Sequence, residues 1–171
     1  MLWITGAAMF FMVSIDLIRL KDNFIHRLYL KIFEKILREH ELYNNKTFFT
    51  GGTFLVVSSF FLILLFPKEI ATLSIFVSVI CDSSASLFGR YFGKIKIGSK
   101  SLEGSIAFVI SGLILIFFTP KITVFFKEYI IAIVSLIITT LIDLIPLKID
   151  DNLIIPFSFS VFYYFLFNIF I

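Results

Sequence analysis

Histidine and cysteine are nearly missing from this chain, and so is charge. The single cysteine, Cys81, excludes an intramolecular disulfide, and with only two scattered histidines, His26 and His40, it leaves no zinc-type ligand set. Charged side chains make up 16% of the 171 residues against 59% hydrophobic ones, among them 24 phenylalanines. A water-facing globule of this size is thereby excluded, because so short a chain cannot bury that much apolar surface. Neither a Walker signature nor a dinucleotide fingerprint is present. The net charge is only +3, so the placement of the basic residues matters more than their excess, and no nucleic-acid partner is expected.

What the chain does have is a succession of long stretches that are uncharged or carry a single aspartate. A bilayer core of about 30 Å takes roughly 20 apolar helical residues, and stretches at 1–15, 47–66, 70–88, 105–118, 129–147 and 153–171 predict six spans. The expected fold is all-α, a polytopic integral membrane helical bundle of about six transmembrane helices plus an amphipathic interfacial helix. It reads as one membrane domain over 1–171, with a first span at 1–15, a cytoplasmic amphipathic segment at 16–46 and a five-span catalytic core at 47–171. The first stretch starts at Met1, with no basic region before it and no small-residue cleavage site after it, so a span is expected there rather than a signal peptide. Alternating spans put twelve Lys and Arg residues on one side and Lys68, Lys121 and Lys127 on the other. By the positive-inside rule the richer side is cytoplasmic. The expected location is the cell (inner) membrane.

Within segment 16–46, Ile25, Leu28, Tyr29, Ile32, Phe33 and Ile36 follow helical spacing, while Arg27, Lys31, Lys35 and Arg38 take the other face. Such a helix would lie on the membrane surface near anionic headgroups, or serve only as a juxtamembrane connector.

A polar island interrupts the apolar pattern from Cys81 to Lys94 and resumes at Lys100 to Ser105. Asp82 lies roughly 10 Å inside its span at about 1.5 Å of rise per residue. A carboxylate at such a depth costs about 2.5–3.5 kcal/mol and normally faces a cavity, a cation or a base. The bland reading pairs it with Arg90 to steady the bundle. Ala85, Gly89 and Gly93 form a small-residue seam that suits close packing within one chain or between two copies of a homodimer. Arg90, Lys94, Lys96 and Lys100 supply positive charge for phosphates, and Gly98-Ser99-Lys100-Ser101 would offer amides ahead of the next helix. A second cluster, Asp143 followed by Asp150-Asp151-Asn152, offers hard oxygen ligands suited to magnesium, or else a plain polar turn. The outer halves of the spans are nearly uncharged, which argues against a transport pathway.

The run Asp82-x-x-Ala85-x-x-x-Gly89-Arg90-x-x-Gly93-Lys94, followed by Lys100-Ser101-x-Glu103-Gly104-Ser105, resembles the signature of the CTP-dependent lipid kinases, which include dolichol kinase, phytol kinase and the CTP-using diacylglycerol kinase. More distantly it is similar to phosphatidate cytidylyltransferase. Asp143-x-x-Pro146 followed by Asp150-Asp151-Asn152 resembles the phytol-kinase-like branch, and Thr50-Gly51 another recurrent position. Two features depart from the pattern: Cys81 stands where a glycine commonly precedes the aspartate, and no Arg-Lys-x-x-His-like element occurs near the amino terminus.

The resemblance implies an enzyme, a transferase of phosphorus-containing groups that moves the terminal phosphate of CTP to a lipid alcohol, polyprenol or diacylglycerol, at the cytoplasmic membrane face. Mg2+ would be held by Asp82 with Asp150 or Asp151, and CTP by Arg90, Lys94, Lys100, Ser101 and Asn152. Asp82, Glu103 and Asp143 would be the catalytic carboxylates, with Glu103 or Asp143 orienting or deprotonating the hydroxyl. Cytidylyl transfer to phosphatidate is the alternative, since the same groups serve either reaction.

Overall fold

A computed structural model describes residues 2–21, 49–98, 100–123, 126–147 and 149–171. The amphipathic surface helix expected between Ile25 and Leu37, with His26 and His40 beside it, lies outside these residues. The described residues are mostly helical, with one two-stranded hairpin and short connecting turns, and they fall into two compact units, Met1–Phe60 and Phe61–Ile171.

In the first unit, helix α1 (Leu2–Lys21) is followed by the start of α2 (Gly51–Leu65). The opening amides of α2 have no partner inside their own helix, and α1 supplies one. Asp16, 1% exposed, accepts the Thr50 backbone N–H at 2.9 Å and the Thr53 hydroxyl at 2.7 Å. The Thr50-Gly51 position is therefore built around a buried carboxylate that composition and spacing did not single out.

Within the second unit, α2 ends before Pro67, whose fixed φ suits the residue ahead of a helix start. Helix α3 (Lys68–Phe76) runs through one π-helical turn (Val77–Cys81) into α4 (Asp82–Phe92), giving a continuous 25-residue rod. The extra residue of a π turn rotates the downstream helix by about 100° relative to an uninterrupted one. Next come a hairpin of β1 (Lys96–Ile97) and β2 (Lys100–Ser101), then α5 (Leu102–Phe118), α6 (Phe126–Asp143) and α7 (Asp151–Phe170). α6 stops at Asp143, short of the boundary near Leu147 that the uncharged run predicts. Pro146 explains this, since it disfavours helical backbone before it and carries no N–H.

α4 lies along α5, α6 along α7, and α3 with the π turn against α5 and α7. Their shared core includes Val77, Cys81, Phe108, Leu136, Ile155 and Phe159. Outward-facing side chains are apolar as well: Phe117, Phe118 and Phe126 are each more than three-quarters exposed. Such an exterior belongs in lipid rather than water. Among the described residues the rod Lys68–Phe92 and helix Asp151–Phe170 have the length and apolarity to cross a membrane, while Leu2–Ile18, Gly51–Leu65 and Leu102–Phe118 are shorter apolar helices.

At the end of the unit where α5 passes to α6, Glu128 is fully buried. It accepts hydrogen bonds from the amides of Ile122 (2.9 Å) and Thr123 (2.6 Å), the Thr123 hydroxyl (2.7 Å) and the Tyr163 hydroxyl (2.7 Å). A buried acid thus exists in the half that looked nearly uncharged, with its oxygens taken by donors from the loop and α7.

The Ala85-Gly89-Gly93 seam is used inside the chain. A Cβ on Gly104 would come within 2.7 Å of the Ala85 carbonyl oxygen and 3.3 Å of the Gly89 Cα, so α4 and α5 touch backbone to backbone. Gly104→Ala should push the helices apart and cost about 1–3 kcal/mol, read as a lowered unfolding midpoint in detergent. Gly52→Ala is the control: its Cβ would meet nothing nearer than 3.7 Å, and the midpoint should hold or rise.

Candidate active site

Four separate segments deliver four charged side chains to one place. Asp82 is the first residue of α4, Asp143 the last of α6 and Asp151 the first of α7, and each offers a carboxylate oxygen within 4.8 Å of the others. Lys100 arrives on the hairpin. Gly98 has φ of 61°, left-handed backbone that glycine adopts without strain, and the turn pairs Ile97 with Lys100 and Lys96 with Ser101. The Lys100 Nζ donates to Asp143 Oδ1 and, at 3.1 Å, to Asp151 Oδ2.

Burial is graded across the group. The Asp143 side chain is 5% exposed, Lys100 27% and Asp151 38%, so the cluster has an inner wall and a wet edge. Asp143 also sits at a helix carboxyl terminus, where the backbone dipole disfavours an anion, whereas Asp151 at a helix amino terminus is favoured. Asp143 therefore needs a cation beside it. Burial alone would lower the Lys100 ammonium, yet the hydrogen bonds and charges of Asp143 and Asp151 outweigh it and hold the ammonium above the ordinary lysine value. A charged lysine is what these carboxylates enclose.

The remaining sequence-derived candidates fall in different places. Asp150 caps α7, its Oδ1 accepting from the Asn152 backbone at 2.9 Å and from Asn152 Nδ2 at 2.8 Å. Asn152 is thus engaged in the same turn. Ser101 is 4% exposed and caps α5 by accepting the Gly104 amide at 3.2 Å, its hydroxyl lying against Gly89 and Gly93. Glu103 accepts the Ile95 amide at 3.2 and 3.4 Å and so ties the foot of the hairpin to α5. Its own backbone amide holds the carboxyl below the usual range, against desolvation, helped by the amides of Lys94 and Ile95 and the Lys94 charge. Arg90 and Lys94 are exposed at the end of α4 and just beyond it. Among the described residues the converging acids are Asp82, Asp143 and Asp151; Glu103 and Asp150 are not in that group.

One signal for the split between the adjacent acids was available, because Asp-Asp-Asn before an apolar run is a helix-start pattern whose first residue caps. Asp150→Ala should lower stability by about 1 kcal/mol in detergent unfolding, and Asp150→Asn, which also caps, should restore most of it.

No family model matches the chain, and no solved structure matches it significantly. Among curated proteins it is 35% identical over 108 residues to an uncharacterized protein of Rickettsia prowazekii, covering 61% of this chain and 52% of that one. It is 34% identical over 101 residues to the CTP-dependent diacylglycerol kinase 1 of Schizosaccharomyces pombe, covering 57% and 44%. With the protein of the same name from Saccharomyces cerevisiae the identity is 29% over 116 residues, covering 66% and 39%. The alignments span about half the length of these curated relatives or less. Through these relatives, as through the motifs beginning at Asp82, the chain is related by sequence to the CTP-dependent lipid kinase family.

Proposed function

We propose that this chain is a membrane-embedded kinase that transfers the terminal phosphate of CTP to a lipid alcohol, with diacylglycerol the favoured acceptor. The observation that carries the reading is the convergence of Asp82, Asp143 and Asp151, the last two paired with the Lys100 ammonium, at one end of a bundle with a lipid-compatible exterior. Names of relatives support CTP and diacylglycerol as the substrates. The uncharged stretches support six spans, and the twelve-to-three distribution of basic residues supports a site open to the cytoplasm in the cell (inner) membrane.

The donor set suits magnesium. Three carboxylate oxygens within 4.8 Å of one another compare with roughly 4.2 Å between opposite ligands of a hard octahedral cation, and an ammonium already stands among them. Asp82, Asp143 and Asp151 would hold Mg2+, which when bound neutralises phosphate charge and links nucleotide to protein.

Positioning and charge then do most of the work, as phosphoryl transfer requires. Arg90 and Lys94, long and exposed, would bind the phosphates from the water side, and Lys100 would join them. Asp143, the most buried acid of the group, would accept the hydroxyl proton of a lipid entering between helices. The lipid oxygen forms a bond to the terminal phosphorus while the bond from that phosphorus to CDP breaks, and CDP leaves with the bridging oxygen. Ser101, Glu103, Asp150 and Asn152 would hold the frame through their caps and the hairpin tie.

Purified protein given CTP labelled at either the α or the γ phosphorus decides the reaction. A γ-labelled lipid is expected; an α-labelled CDP-lipid would establish cytidylyl transfer instead. Asp82→Asn and Asp143→Asn should each lower transfer by roughly 100-fold or more without loss of membrane insertion, and chelation of Mg2+ should abolish it.

A further inference from the structure

We infer that Lys100 is an exchangeable internal cation: it holds the acidic cluster together when no divalent ion is present, and it must leave for the ion to bind. The inference rests on the phosphotransfer reading above and adds to it an order of events, with metal and nucleotide loading coupled through one lysine.

The grounds are geometric. The Lys100 Nζ lies between Asp143 and Asp151, within hydrogen-bond reach of both. An ion bound to oxygens of the same two acids would share their inner space with the ammonium, and two cations that close repel strongly in a partly buried site. Carboxylates without a cation repel one another, so the cluster needs one occupant or the other.

Lys100 is able to move. Its backbone is in the short β2 strand, next to the turn at Gly98, and its side chain is a flexible stem 27% exposed to the wet edge. By contrast Asp143 and Asp151 are fixed at helix ends. The released ammonium would find its counter-charge on the nucleotide phosphates, so metal alone should bind poorly and metal with CTP well. Such coupling disfavours a metal-loaded site that lacks substrate. A lysine bound only to phosphate, or one that serves purely as structure, would give no such dependence.

Binding of Mn2+, a spectroscopic probe for the divalent site, tests this in the full chain reconstituted in nanodiscs. Without nucleotide, Lys100→Met should bind Mn2+ about tenfold or more tighter than wild type, as removal of a competing occupied state requires. Added CTP should tighten binding to the wild type and shrink that difference. Lys100→Arg, which keeps the cation, should stay as weak as wild type, and Lys100→Met with Asp82→Asn should lose the gain. Equal or weaker Mn2+ binding by folded Lys100→Met overturns the inference.

If Lys100→Met does not fold, the wild type alone decides. Saturating Mg2+ without nucleotide should raise acylation of Lys100 by a water-soluble amine reagent, and unchanged labelling overturns the exchange. Exchange without phosphate transfer from CTP would refute the kinase reading and leave the inference standing. Transfer without exchange would do the reverse.

Discussion

The ion pair of Lys100 with Asp143 and Asp151 is the constraint on which the candidate site depends. It joins the hairpin, the end of α6 and the start of α7, three segments that no backbone hydrogen-bond ladder connects. Its two legs differ in weight. The Asp143 side chain is 5% exposed, and removing one partner of so enclosed a pair strands a charge, a loss of roughly 3–5 kcal/mol. Asp151, at 38%, keeps contact with solvent and gains less from the lysine. The pair therefore anchors the inner acid and leaves the outer one adaptable.

Helix packing aims the lysine. Gly89 and Gly104 let α4 and α5 approach until their backbones touch, and Ser101 lies in that contact while capping α5. With Ser101 fixed, Lys96 pairs with it across the hairpin and Lys100 takes the adjoining position. Glu103 holds the other foot through Ile95. The residues between Asp82 and Ser105 thus divide their labour: small residues and caps build a rigid bracket, and Lys100 projects from it.

Much of this was legible because a bilayer enforces simple rules. Nearly uncharged stretches marked α2, the rod of α3 and α4, α5, α6 and α7 to within a few residues at most ends, and the acids and bases stood out by being rare. Four features were missed for definite reasons. The π turn at Val77–Cys81 leaves no composition signal, because it differs from α-helix only in which carbonyl each amide finds. Asp16 sits 34 residues from Thr50, and no periodicity links them. Asp143 looked as though it lay within its span, when Pro146 in fact ends the helix at that residue and so places the carboxylate at an end, where it meets Lys100 and Asp151. The adjacent acids Asp150 and Asp151 were not separated because their difference lies in backbone role, cap against first helical residue.

The two buried acids of α6 show why one end of the second unit is structural and the other suited to chemistry. Glu128 is held by four donors, two of them backbone amides and one a hydroxyl anchored in α7. Those donors cannot leave without unfolding the loop, so the carboxylate has nothing to exchange. Asp143 is matched by a flexible ammonium on a hairpin, a partner that can be replaced without breaking a helix. Between them on the same helix, Ala132 and Leu136 are fully buried, and the hydroxyls of Ser135 and Thr139 bond back to their own helix at 2.8 Å. Those hydroxyls donate to carbonyls of their own helix. A buried carboxylate locked by its donors differs from one whose partner sits on a flexible side chain, and on α6 the second kind is Asp143.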